Sequence, residues 1–156
     1  MANDFRGKAD APKGIRNNNP GNLIDDGTAW KGKVGNDGHF IIFEDVGFGI
    51  RASLLDYHTK IVKDDLTDIQ SIITKYAPAN ENNTSAYIAA VSKFTGLGAT
   101  DDVDTTSQGA IAFIKAIYDV ENGTGEPEQY ITDQDYSEGM ARAQTSLNGF
   151  FSAGRK

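Results

Sequence analysis

From Gly47 onward the apolar residues recur at helical spacing in one segment after another, and only the stretch just before is rich in β-forming residues. Ile50, Leu54 and Ile61 mark a helix over 47–63. Leu66, Ile69, Ile73 and Tyr76 share one side of a second, over 66–76. Tyr87, Ile88, Val91 and Phe94 mark a third, Ala110, Phe113, Ile114, Ile117 and Tyr118 a fourth, and a weaker one runs from about 132 to 147. Boundary signals agree with the periodicity. Thr67 or Asp68 starts the second helix and Pro78 ends it. Asn83 or Thr84 caps the third and Gly96 stops it, and Thr105 or Thr106 caps the fourth. Ahead of all of them, Trp30 to Phe43 holds a Gly-Asn-Asp-Gly turn at 35–38 followed by the β-forming run His-Phe-Ile-Ile-Phe. One hairpin followed by helices predicts a small α+β domain, mainly helical.

The 156 residues suffice for one domain with its own core. Residues 1–14 are polar, carry Pro12 and Gly14, and read as a flexible N-terminal arm; residues 15–156 read as a single domain. Composition removes several function classes. There is no cysteine, hence no disulfide framework and no thiolate chemistry. No stretch has the roughly 20 apolar residues of a membrane span, so membrane insertion is not expected, and the first residues lack the apolar core of a signal peptide. Net charge is −7 with no basic stripe, a surface that nucleic acid repels.

The chemistry narrows by elimination. A catalytic zinc wants three protein ligands, and only His39 and His58 exist, without H-x-x-x-H spacing. His39 fits the hairpin end and His58 a helix surface. No metal and no cofactor is expected. There is no G-x-S-x-G, and Gly47-Phe48-Gly49 is too short for a nucleotide loop. Carboxylates remain. Glu121 follows Ile117 by four residues and Ile114 by seven, so it continues an apolar stripe into the last helical turn. Burial and the negative end of the helix dipole both raise a carboxyl pKa there, as general-acid catalysis requires. The alternative is a frayed helix end with Glu121 turned to solvent or to a lysine. Glu81, in a polar loop before the third helix, suits a stabiliser or base better than an acid; the alternative is a favourable charge near a helix start. Glu44 and Asp45 read as solvated turn acids. The loop Ile15 to Leu23 offers amides, among them Asn19 and Asn22, that can bond the acetamido and hydroxyl groups of a sugar, and Trp30 and Tyr87 can offer apolar faces to sugar rings. Equally, the asparagines can simply build the turn, and Trp30 can be core.

The succession GIRNNNPGNL, Trp30-Lys31-Gly32, FIIFEDVGFGIRA, KYAPANENNTSAYIAAV and VENG resembles a family of small phage and prophage proteins, described both as virion structural proteins and as lysozyme-like peptidoglycan hydrolases. The resemblance spans roughly 14–140. Its most specific parts are the RNNNPGN run and the pattern Pro78, Glu81, Asn82, Thr84, Tyr87. A His often precedes the Glu of the ENG segment in that family; here Val120 stands there, so any role of that His is absent. A looser likeness runs to bacterial N-acetylglucosaminidases and lytic transglycosylases with lysozyme-like folds. They place a catalytic Glu near a helix end, then an Asn-rich segment, a hairpin and a helix. Here the Glu helix comes last, an order that a circularly permuted lysozyme-like domain would explain.

These resemblances imply a catalytic domain over 15–156 that cleaves bacterial peptidoglycan. Glu121 would protonate the leaving oxygen between N-acetylmuramic acid and N-acetylglucosamine. Water would then attack, as in a muramidase, or the muramic acid 6-hydroxyl would, as in a lytic transglycosylase. Glu81 is the second carboxylate that a hydrolase needs. The partners implied are peptidoglycan and other virion proteins, and the place of action is the host cytoplasm before release to the wall, or the virion. A non-catalytic virion or wall-binding module and a secreted antibacterial effector are the competing readings. The acidic balance argues mildly against the enzyme, because bacterial walls are anionic.

Overall fold

The computed structural model describes residues 2–78 and 83–151. In chain order these form α1 (Lys13–Arg16), β1 (Lys33–Asn36), β2 (Ile41–Phe43), α2 (Val46–Val62), α3 (Ile69–Tyr76), α4 (Thr84–Thr95), α5 (Ser107–Asn122), a 3-10 turn (Pro127–Gln129) and α6 (Asp133–Leu147). The expected α+β class holds: a mainly helical body with one antiparallel hairpin. Strands β1 and β2 pair Lys33 with Phe43 and Asn36 with Ile41, with a bulge between Lys33 and Gly35.

The helices start where a side chain can take over an orphaned N–H. Asn83 caps α4, Thr106 caps α5, and Thr132 with Asp135 forms a reciprocal capping box on α6. Helix α4 stops at Gly96, whose φ of 77° suits a residue without a side chain. The second helix begins at Ile69, three residues later than its apolar spacing suggests. Asp68 caps it, accepting from Ser71 N at 2.8 Å, and Thr67 is held extended by Val103, whose N–H donates to the Thr67 carbonyl at 2.8 Å. Neither α1 nor the 3-10 turn was legible in the pattern; both are too short for a period.

Helix α2 packs on α6, and α5 on α4. Ile50 and Leu54 of α2, Ile69, Ile72 and Ile73 of α3, and Phe113 and Ile114 of α5 lie fully or almost fully buried between them. Each such side chain contributes roughly 1.5–3 kcal/mol of transfer free energy. A second, smaller cluster holds the hairpin: Ile41, Phe43 and Ala52, with Trp30, Leu23 and Phe48 against it.

Two expectations are corrected. The first residues are not a free arm. Ala2, Phe5 and Ala11 are buried, Val46 N donates to the Asn3 carbonyl at 2.8 Å, and both Asn3 nitrogens donate to Asp135 at 2.8 and 2.9 Å. Three scattered apolar residues make no period, but they complete a core built by others. Asp45 is not a solvated turn acid either. It caps α2 through Phe48 N at 3.1 Å and pairs with Arg142 of α6 at 2.8 Å, so one carboxylate starts α2 and ties it to α6. Glu44 is exposed, as expected.

Candidate functional site

The Asn17-Asn18-Asn19 run is the place to begin, because it decides what the groove beside it can be. All three residues are buried. Asn17 Nδ2 donates to Asp37 at 3.0 Å. Asn18 accepts from Phe5 N at 2.8 Å and donates to the Phe43 carbonyl at 2.8 Å and to Asp4 at 2.9 Å. Asn19 accepts from Leu23 N and donates to the Leu23 and Ile41 carbonyls, each at 3.0 Å. An amide side chain has two donors and one acceptor oxygen; Asn18 and Asn19 spend theirs mostly on backbone groups, while Asn17 and one donor of Asn18 hold the carboxylates of Asp37 and Asp4. The run stitches the N-terminal segment, the hairpin and the turn that follows.

That turn, Asn19 to Asn22, closes with Asn22 N donating to the Asn19 carbonyl at 2.9 Å. Asn122, the last residue of α5, donates to the Pro20 carbonyl at 2.7 Å. The Tyr76 hydroxyl of α3 donates to the Gly21 carbonyl. The turn is thus pinned between two helix ends, and Asn22 sits left-handed, φ 51°. Its Nδ2 donates to Glu121 Oε1 at 2.9 Å, and the Tyr87 hydroxyl from α4 donates to Glu121 Oε2 at 2.9 Å. Glu121 is half-buried, with three elements converging on its carboxylate.

Glu121 lines a groove of about 390 Å³ between hairpin and helices, within the size range of small-ligand sites. Asn22, Leu23, Ile24 and Asp26 line it from the end of the asparagine turn onward, Trp30, His39 and Phe40 from the hairpin region, and Asp56 and Lys60 of α2 with Lys75 and Tyr76 of α3 from the helices. Lys60 donates to Asp56 Oδ2 at 2.7 Å and lies 5.4 Å from the centre of the Tyr76 ring. Burial, followed by the negative charges of Glu121 and then Asp56, holds the Tyr76 hydroxyl well above the usual phenol range. Burial likewise pushes Tyr87 up, followed by its neighbours Tyr76 and Glu121. Both phenols therefore stay neutral donors. Two residues before Glu121, Asp119 is buried and pushed up to about 6, by desolvation and then by Glu128 beside it.

The predicted site residues divide. Glu121 and Asn22 meet in the groove. Trp30 is both things the sequence allowed, half-buried against the hairpin cluster and part of the groove wall. Asn19 is corrected: at 0% exposure its amide is consumed by backbone and cannot reach a ligand. Tyr87 is corrected too. Its ring is buried, edge-on to Tyr76 at 6.3 Å, and only its hydroxyl serves the site. Glu81 lies outside the described residues. Of the two histidines, His39 is exposed on the groove rim against Phe40, and His58 is half-buried on α2 against Phe150. Among the described residues no group of three or more His, Asp or Glu side chains could hold a metal ion, and no helix is long and apolar enough to cross a membrane.

Sequence reasoning missed Tyr76, Asp56 and Lys60. A signal for the last two existed. Ser53, Asp56 and Lys60 fall at helical spacing on α2, and two of them, Ser53 and Lys60, belong to its buried set. Polar residues recurring on the buried side of a helix mark a wall that faces something polar.

No protein-family model matches the chain. It is 36% identical over 120 residues to Protein P5 of Pseudoalteromonas phage PM2, an overlap of 74% of this chain and 74% of that one.

Proposed function

Because the chain belongs to the family of that phage protein, we propose that it is a phage peptidoglycan-cleaving glycosidase, acting on the bond between N-acetylmuramic acid and N-acetylglucosamine. The observation that carries this reading is the setting of Glu121. It is a carboxylate at the end of an apolar helical stripe, aimed into a groove and held by two neutral donors from other elements. Each carboxyl oxygen has two lone-pair sites and spends one on its donor. The group is therefore fixed in orientation while a site remains for a proton and a substrate oxygen. Fixed orientation is what general-acid catalysis demands of a flexible side chain. Trp30 and Phe40 supply apolar wall for sugar rings, and Asn22 and the lysines supply polar contacts. In this reading the fold is a lysozyme-like domain with its motifs in circularly permuted order. The protein is carried in the virion, or is held in the host cytoplasm before release to the wall, and works without a cofactor alongside other virion proteins.

One observation favours a second reading. Both oxygens of Glu121 are already bonded to side chains, so the group can be a tie between α5, α4 and the Asn22 turn in a non-catalytic virion or wall-binding module. Digestion of purified peptidoglycan followed by mass spectrometry separates the two. A glycosidase releases muropeptides with reducing or anhydro-muramic ends. Wall binding with no released fragment supports the module and sinks the enzyme.

A further inference from the structure

The geometry points to Asp56 as the second carboxylate of this groove, the base that activates water, with Lys60 as its positioning residue. The inference rests on the glycosidase reading and narrows it to hydrolysis.

Three observations support it. Asp56 of α2 lines the same groove as Glu121 of α5. Its Oδ2 accepts from Lys60 at 2.7 Å, while no hydrogen bond among the described residues reaches its Oδ1. Its side chain is 28% exposed and that of Lys60 11%. An i,i+4 pair that only decorates a helix lies in solvent and contributes little. This one sinks its ammonium end into a groove wall, against the Tyr76 ring, a costly place for a charge unless the partner is worth orienting. Of the other acids, Asp26 also lines the groove but stands in an exposed turn, its Oδ1 accepting from Thr28 N and Oγ1 and, among the described residues, no lysine bonded to it. Asp25, outside the lining, accepts from Lys33, Asn36 and Gly27. Tyr76 lines the groove together with both carboxylates, and the negative charges of Glu121 and Asp56 both act to raise its hydroxyl pKa.

The step balances without any further reactant. Glu121 gives its proton to the glycosidic oxygen as the bond from that oxygen to the anomeric carbon breaks. The oxygen of water forms the new bond to the carbon, and the proton that water loses goes to Asp56. Exchange with solvent restores both groups.

The test uses the full-length protein on purified peptidoglycan, with mass spectrometry of the products and thermal melting of each variant. The parent should release reducing ends. Asp56→Asn should lose activity by a factor on the order of 10² or more. Asp56→Ala should be partly restored by sodium azide, yielding a glycosyl azide, which no structural role of Asp56 produces. Since removing Asp56 strands the Lys60 charge, the double variant D56N/K60M serves where D56N alone melts early; it should fold and be as inactive. Anhydro ends from the parent, or activity of a folded Asp56 variant within about threefold of it, overturn the role of Asp56 and leave the role of Glu121 standing. No fragment at all from the parent overturns the glycosidase reading and this inference with it.

Discussion

A single hydrogen-bonded carboxylate carries the functional reading, and the substitutions that probe it can be chosen to leave the fold alone. Glu121→Gln keeps an oxygen for Asn22 and places an amide against Tyr87, whose hydroxyl can accept as well as donate. Melting should therefore change little, while cleavage falls by a factor on the order of 10² or more. Glu126→Gln, in the loop after α5, is the matched control and should cleave like the parent. Asn22 needs a different choice. Its φ of 51° makes alanine strained there, at about 1–2 kcal/mol, so Asn22→Gly is the cleaner removal of the donor. It should slow cleavage on the order of tenfold or more, by loosening the acid, with melting nearly unchanged. Loss of stability without loss of rate would mean the turn is only structural. Asp119 gives a pH test. Its folded pKa of about 6 lies above the ordinary carboxylate value, so the folded chain binds that proton more tightly than the unfolded one. Stability from this group is full below the unfolded value and is lost as pH rises through about 6. Asp119→Asn should therefore raise the urea midpoint relative to the parent at pH 7 and lose that advantage near pH 4. A midpoint difference independent of pH contradicts it.

At the scale of elements, the close contact between α2 and the asparagine run is the most exposed to mutation. A Cβ on Gly49 would stand 1.9 Å from the Asn18 carbonyl oxygen, and that is backbone, which cannot swing aside. Moving it would disturb Asn18, whose side chain joins Phe5, Asp4 and Phe43. Gly49→Ala should cost about 3 kcal/mol or more by thermal or urea unfolding, the upper end for overpacking combined with a broken polar network. Gly35→Ala in the hairpin meets nothing within 4 Å and should stay within about 0.5 kcal/mol. Helical periodicity found the elements themselves, because each buries one face. It could not find this contact, because glycine leaves no trace in an apolar pattern.

Across the whole molecule, the N-terminal segment is tied down by one buried acid. Asp135 is 1% exposed and accepts from Asn3 N, Asn3 Nδ2 and Thr132 N. Asp135→Ala leaves three donors without their acceptor. A loss of about 3 kcal/mol is expected, or roughly 6–12 °C of melting temperature for a chain of this size. Removal of residues 1–11 should lower melting as well, because Phe5 and Ala11 leave the core. A truncated chain that melts with the parent would restore the free-arm reading.

By itself the sequence determined the hairpin, the succession of amphipathic helices, most of their caps, and the anomaly of Glu121 at the end of an apolar stripe. These follow from local periodicity and from side chains that bond their own backbone within a few residues. Only the tertiary structure decided the rest. Asn22 and Tyr87 lie 99 and 34 positions from Glu121, and nothing local says that they share its carboxylate. Asn19 and Asn22 look alike in the sequence. One faces backbone carbonyls left open by the hairpin and is buried, while the other faces a helix end at the mouth of a groove. The difference is where unpaired polar groups of distant elements happen to need a partner, and that is known only once the chain has closed on itself.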